Sequence, residues 1–381
     1  MDTLKQYLKS PKYYPLLLIK KIKVYLHNRF EQSIKAQDNV DLGKFITYLW
    51  QHLIKNLEFN ENGYFVKTKV TNKNDPMVLS QARSVLILSN KDSNIDPKLK
   101  SSYLVKKMTD YLISMRDKER GLFKFNQASW DLQDEGIASV WATLALIQAY
   151  EYTNTKKYLA VAIETMNSMI KNLYTKETSL IHTEGDDFWC LNAASTFANA
   201  CSLLLKYHYN EEIKLAMIDS INLCIDKIAD DGHYPYNKQR QGTYLLLYHP
   251  IVMITLNNCL DSEFIDDETR KRLVRTNNIA RDFLISCIDK DNKIFEPEIT
   301  HYSQYIVTNV TTLVAIKDMI SEELKDSLLS NITKYFNNDQ LYLCKDKNDR
   351  LYNSNLYKVR DVLSVEVLYW LDIYFSDKYL R

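Results

Sequence analysis

The chain is predicted to be all-α, an (α/α)6 toroid of six outer/inner helix pairs with short β-like turns between them. Three observations predict it. A degenerate unit of roughly 55 residues recurs six times. In each unit an amphipathic helix is followed by one that is apolar on nearly every face, and a helix hydrophobic all round must be buried all round. Glycine and proline number only seven each in 381 residues, which disfavours a sandwich or barrel of strands. One such pair cannot bury its inner face alone, whereas six closing in a ring can.

Residues 1–30 stand apart from the repeat. They carry seven basic side chains (Lys5, Lys9, Lys12, Lys20, Lys21, Lys23 and Arg29) against Asp2. Leu18, Ile22, Tyr25 and Leu26 share one helical face beside those lysines, a pattern suited either to lying on an anionic membrane surface or to docking as an N-terminal helix on its own domain. The start lacks the apolar core and small-residue cleavage site of a signal peptide, and no run reaches the ~20 apolar residues needed to span a bilayer. The six cysteines are scattered through apolar stretches, as expected of reduced thiols. The expected location is cytoplasmic, peripheral on the inner membrane face.

From residue 31 to 381 no low-complexity linker divides the chain, so this stretch is read as one toroid domain. Polar turns align on Gly63, Gly121, Ser179, Gly232, Lys293 and Leu341, and the glycines among them suit positive φ. The inner helices are expected near 77–90, 134–152, 188–208, 243–259, 301–319 and 359–376. The second, WDLQDEGIASVWATLALIQAY, runs from Trp130 to Tyr150, and its Ala138, Ser139, Ala142 and Ala145 allow close helix approach. Inner-to-outer links are short, while outer-to-inner links hold most charged and aromatic residues. The site is therefore expected at the N-terminal ends of the inner helices, where loops sit on a rigid scaffold and unsatisfied N–H groups favour anionic partners.

Those connections supply the candidates. The second brings Trp130, Asp134 and Glu135, and the third His182, Asp187 and Trp189. The fourth brings Tyr234, Tyr236, Arg240 and Tyr244, with His249 about a turn inside the next helix. Glu298, His301 and Tyr302 come from the fifth and Arg360 from the sixth. Two carboxylates across a pocket are what acid/base work on a glycosidic bond requires, and Asp134 or Glu135 facing Asp187 or Glu298 would supply them. His301 is a second acid/base candidate. The remaining aromatic and basic residues are candidate sugar contacts, since aromatic rings stack on sugars and hydrogen-bond their hydroxyls. Asp134 serves equally as a helix cap.

Other classes leave no trace. Forty-nine Lys plus Arg balance 48 Asp plus Glu, so no global field marks a nucleic-acid partner. No phosphate-binding glycine loop, GxSxG elbow, HExxH or zinc-spaced Cys/His cluster occurs, so neither cofactor nor metal is expected.

At the level of the repeat, the chain resembles the six-hairpin toroid group that includes glucoamylase-type hydrolases, unsaturated glucuronyl hydrolases and N-acylglucosamine 2-epimerases. Gln133–Leu144 (QDEGIASVWATL) is similar to the glucoamylase segment whose acid before glycine binds the non-reducing sugar, which implies that role for Asp134 or Glu135. Gly185–Ala200 is similar to the segment bearing that family's catalytic acid. Here Trp189 is followed by Cys190 and Leu191, without a carboxylic acid. Another acid such as Asp187 or Glu298 then takes the role, or the reaction is an elimination or epimerisation through His or Tyr, or the site binds a glycan without turnover. Ser80–Ser89 (SQARSVLILS) is similar to the Arg-containing early inner helix of the 2-epimerases and implies Arg83 as a substrate contact. The expected function is a carbohydrate-active hydrolase, lyase or epimerase working on a bacterial surface polysaccharide or lipid-linked glycan. A non-catalytic glycan-binding scaffold is the alternative, and an isoprenoid-handling toroid, lacking DxDD and DDxxD, a third.

Overall fold

The computed structural model describes residues 42–67, 77–92, 101–124, 135–180, 189–237, 245–296, 301–302, 305–337, 340–341 and 360–376. The basic segment 1–30 lies outside them. Twelve helices alternate among the described residues. The outer set is α1 (Leu42–Lys55), α3 (Ser102–Ser114), α5 (Lys156–Leu173), α7 (Glu211–Asp226), α9 (Asp267–Ser286) and α11 (Glu322–Thr333). The inner set is α2 (Val78–Ser89), α4 (Glu135–Thr153), α6 (Leu191–Leu205), α8 (Leu245–Asn257), α10 (Ile306–Ile316) and α12 (Arg360–Tyr374). Each inner helix falls inside or within a residue of the span expected from its apolar run.

The inner helices close a ring: α2 packs on α4, α4 on α6, α6 on α8, α8 on α10, α10 on α12, and α12 back on α2. Every residue of α2 is buried, as are ten of the eleven in α10. Several polar side chains of the inner helices bond their own helix. The hydroxyls of Ser84, Thr143 and Thr311 donate to the carbonyl four residues back at 2.7–2.8 Å. Small residues of α6, among them Ala193, Ala194, Ala198 and Ala200, let neighbours approach. Among outer helices, each inner helix packs closest against the one that follows it, and α1 packs against α12. The first outer helix therefore completes the last hairpin and closes the ring.

Outer-to-inner connections hold the strands. β1 (Leu57–Asn60) pairs with β2 (Gly63–Val66), and β3 (Tyr174–Thr175) with β4 (Ser179–Leu180). β5 (Phe295–Glu296) pairs with β6 (His301–Tyr302), and β7 (Phe336–Asn337) with β8 (Gln340–Leu341). All four pairs are antiparallel, and single bridges join Arg116 to Phe123 and Ile288 to Ile294. The repeat alignment marks a real backbone feature. Gly63, Gly121, Ser179 and Gly232 all have positive φ, of 135°, 70°, 57° and 94°. In the fifth turn the bend falls on Asn292 (φ 58°), one residue before the aligned Lys293. At Gly63 the constraint is steric too, because a Cβ there would lie 2.2 Å from the Lys107 carbonyl oxygen on α3.

Candidate active site

Several inner-helix side chains meet inside the ring. On α2, the Arg83 guanidinium donates from Nη2 to Glu366 Oε1 on α12 at 2.9 Å, and both side chains are largely buried (7% and 13% exposed). The same guanidinium lies 4.9 Å from the ring centroid of Trp141 on α4. Trp141 in turn packs edge-on against Tyr369 and Trp370 of α12, at 5.4 and 6.3 Å. α4 and α12 are not ring neighbours, and α2 packs between them. On α8, burial pushes the Tyr248 phenol well above the ordinary range, and Tyr236, Cys190 and the charge of Glu366 push the same way. Tyr248 thus keeps its proton at neutral pH. Tyr236 stacks on it, with centroids 4.3 Å apart and planes 17° from parallel.

The chemistry of this cluster follows from its donors. Arg83 gives one Nη2 bond to Glu366, its Nε has no hydrogen-bond partner among the described residues, and it lies over an indole face. A guanidinium carries five N–H donors, so it retains capacity to hold a carboxylate or hydroxyls. With Glu366 as acceptor and Tyr248 as donor, the cluster offers both hydrogen-bonding polarities beside aromatic surface. That is the equipment for gripping a polyhydroxylated ring.

The starts of the inner helices hold further candidates. Glu135 opens α4, is 2% exposed, and bonds the Arg120 guanidinium through both carboxylate oxygens at 2.8 Å. Its position in the first turn also sets its negative charge against the helix dipole. Trp189 is buried beneath Lys227, whose Nζ lies 5.9 Å from the ring. The next residue, Cys190, bridges to Asn237, and the Leu191 amide donates to Tyr236 O at 3.1 Å, tying the third connection to the fourth.

His249 and Tyr234 sit between α8 and α9. The His249 Nδ1 accepts from the Tyr234 amide at 2.9 Å, and Nε2 lies 3.0 Å from Ala280 O on α9. Both ring nitrogens are thus committed to backbone. Burial lowers its pKa to about 3, so the ring is neutral, with Nε2–H as the donor. Gln81 performs the same task in the first unit. Its Oε1 accepts from the Val66 amide at 3.0 Å, and its Nε2 donates to Met108 O on α3 at 2.8 Å. Each therefore staples its unit's turn to the following outer helix. Tyr234 is fully buried and hydrogen-bonds Asn277 on α9 at 3.1 Å.

The structure thus sets Arg83 against Glu366 and Trp141, stacks Tyr236 on Tyr248, and puts Glu135 and Trp189 at inner-helix starts. Asp134, Asp187, Glu298, Trp130, His182, Arg240 and Tyr244 lie outside the described residues. His301 and Tyr302 are described as backbone only, in β6, where His301 pairs with Glu296. Arg360 opens α12. Glu366, Tyr248 and Trp141 were not among the sequence candidates. A lone carboxylate inside VLSVEVLYWL is as conspicuous as Arg83 in its own apolar helix, and that signal would have found Glu366.

Five described cysteines are free and buried, and burial holds the thiols of Cys201, Cys224 and Cys259 above the ordinary range, Cys259 at about 12. No group of three His, Cys, Asp or Glu among the described residues is placed to hold a metal ion. No helix among them is long and apolar enough to cross a membrane. A shallow groove of about 650 Å³ along α9, from Arg270 to Asp282, is separate from the axial cluster.

Neither a protein-family model nor a curated protein sequence matches the chain. Solved structures do. A sugar epimerase from a ruminal bacterium superposes with a TM-score of 0.65 at 16% identity, over 86% of this chain and 98% of that one. A family 76 glycoside hydrolase from Bacteroides thetaiotaomicron gives 0.62 at 10% identity, over 88% and 78%. Cellobiose 2-epimerase from Bacillus thermoamylovorans gives 0.58 at 11%, over 86% and 98%. The fold is the (α/α)6 toroid. At these identities the likeness establishes architecture, and this chain shares that architecture with toroids named for sugar chemistry.

Proposed function

We propose that the chain is a carbohydrate-active enzyme whose sugar sits on the axial cluster of Arg83, Glu366, Trp141 and Tyr248. The observation that carries the reading is the Arg83–Glu366 pair itself. A buried ion pair seldom stabilises a fold more than apolar residues of the same size, so its presence in an otherwise apolar ring asks for another reason. The fully buried hydroxyls of Ser80, Thr308, Thr312 and Ser364, without hydrogen-bond partners among the described residues, add to the polar interior. The names borne by the similar toroids, sugar epimerases and a glycoside hydrolase, support a saccharide as the ligand.

In this reading Arg83 and Glu366 orient the sugar from the ring floor. Asp134, Asp187, Glu298 and His301 supply acid and base groups from the connections at the ring mouth. The substrate is a surface polysaccharide or lipid-linked oligosaccharide. The basic residues 1–30 place the chain at the cytoplasmic face of an anionic membrane.

One NMR experiment in D2O with a panel of oligosaccharides separates the reactions. Epimerisation at C2 places deuterium there, hydrolysis raises new reducing ends, and elimination raises vinylic proton signals. Arg83→Lys keeps the charge but loses the fork geometry, and should abolish whichever signal the wild type gives. Turnover undiminished in Arg83→Lys would remove the axial cluster from the mechanism. The reading as a binding scaffold draws on Cys190 and Leu191, which are fully buried where the glucoamylase segment carries its acid. It predicts saturable sugar binding with none of the three signals.

A further inference from the structure

The inner-to-outer turns gather at the end of the ring opposite the candidate site, and contacts link them almost all the way round. Lys91 reaches from the first turn to the Glu151 carbonyl in the second, and Tyr150 packs edge-on against Tyr207 of the third at 5.3 Å. Tyr209 packs on Phe264 of the fourth at 5.7 Å. Lys317 in the fifth donates to the Tyr374 carbonyl in the sixth, and Asn90 of the first bonds Asp372 of α12 at 2.6 Å. These contacts tie the turns to their neighbours everywhere but between the fourth and the fifth.

Over its third, fourth and fifth turns this face exposes aromatic and apolar side chains beside an acidic rim, whereas the first two turns carry Lys91, Lys156 and Lys157. Tyr207, Tyr209, Leu215 and Met319 are all more than two-fifths exposed, Tyr209 at 59% and Met319 at 50%. Outer helices begin here, and α7, α9 and α11 open with Glu211 and Glu212, Asp267 and Glu268, and Glu322 and Glu323. Stretches 206–214, 261–268 and 317–325 hold ten carboxylates against four lysines. Two of those lysines, Lys214 and Lys325, are already paired with Glu211 and Glu322.

The chain itself supplies a segment of complementary character. Helix α1 is an outer helix, so Leu42 starts at this same end, and α1 packs beside α11. Residues 31–41, fully extended, span up to about 36–40 Å. Residues 1–30 join an excess of lysines to the apolar set Leu18, Ile22, Tyr25 and Leu26. We infer that residues 1–30 dock on this aromatic, acid-rimmed face of their own chain, apolar side against Tyr207, Tyr209 and Met319 and lysines against the rim. Docked there, the lysines are withheld from any other anionic surface, so docking and membrane binding compete for the same charges.

Carbodiimide crosslinking of the full chain, read by mass spectrometry on a mixture of light and isotopically heavy copies, tests this. Crosslinks within one copy should join Lys20, Lys21 and Lys23 to the glutamates opening α7 and α11. They should fall about fivefold in roughly 0.5 M salt, where screening lengths shrink to a few ångströms. Tyr209→Ser with Met319→Ser, which leaves every crosslinking group in place, should lower them as well. Crosslinks to carboxylates at the opposite end, crosslinks only between copies, or yields indifferent to salt and to these two substitutions would overturn the inference. Its failure leaves the sugar site untouched, because neither end shares residues with the other.

Discussion

The outer helices α3, α7, α9 and α11 begin on side-chain caps, with Ser101, Asn210, Asp266 and Ser321 accepting backbone N–H bonds. The inner helices α2, α6 and α10 begin on Met77, Cys190 and Tyr305 with no side-chain cap bond. Uncapped first-turn amides are open to other partners, as where the Leu191 amide takes the Tyr236 carbonyl, whereas a cap spends them. Side-chain caps thus close four outer helices but not α5, whose Thr155 makes no cap bond, while the three inner helices with described caps are left without one. The difference sets the outer-helix starts apart from the end proposed to face the sugar, and each prediction below presses on it.

The largest effect is expected at the axis. Arg83→Met leaves Glu366 buried without its partner and should cost about 3–5 kcal/mol in urea unfolding. A cost near zero would mean the pair is solvated, and the contrast between ring interior and outer shell would weaken.

Next comes the staple at His249. Removing it with His249→Leu orphans the Tyr234 amide and the Ala280 carbonyl and should cost about 2–4 kcal/mol. His249→Gln, copying Gln81, should cost far less. The pH dependence gives an independent reading. His249 is neutral in the fold with its pKa lowered to about 3, while in the unfolded chain it protonates near 6.5. Between those values the unfolded state binds the extra proton, so stability falls as pH drops below about 6.5. The slope approaches roughly 1.4 kcal/mol per pH unit and fades near pH 3. Melting temperatures at pH 5 and 7 should differ more in the wild type than in His249→Gln. An equal difference would show that the histidine is not held neutral.

The smallest effect belongs to the caps. Ser321→Ala and Ser101→Ala should each cost about 1 kcal/mol and leave sugar binding unchanged. A change in binding would erase the division between the two ends.

Much of the architecture was readable because burial leaves a compositional mark. Inner helices announced themselves by being apolar on every face, and turn alignment found positive φ even at Ser179, where no glycine stands. The sixth-to-first closure was implied only by counting repeats, since the ties that make it, Arg83 to Glu366 and Asn90 to Asp372, join residues more than 280 apart. The site was harder. Sequence reasoning looked for polar groups in the connections, yet Glu366, Tyr248 and Trp141 lie within apolar helices. His249 looked chemical because histidine commonly is, and its equivalence to Gln81 is one of hydrogen-bond geometry, invisible in residue type.

The central claim is that the axial ion pair is retained for a ligand and not for the fold. The double variant Arg83→Met with Glu366→Leu tests it most directly, by urea unfolding together with titration calorimetry against the saccharide that the wild type turns over or binds. The account predicts stability restored to within about 1 kcal/mol of the wild type or above it, with sugar binding lost. A double variant that still binds the sugar as the wild type does would contradict it.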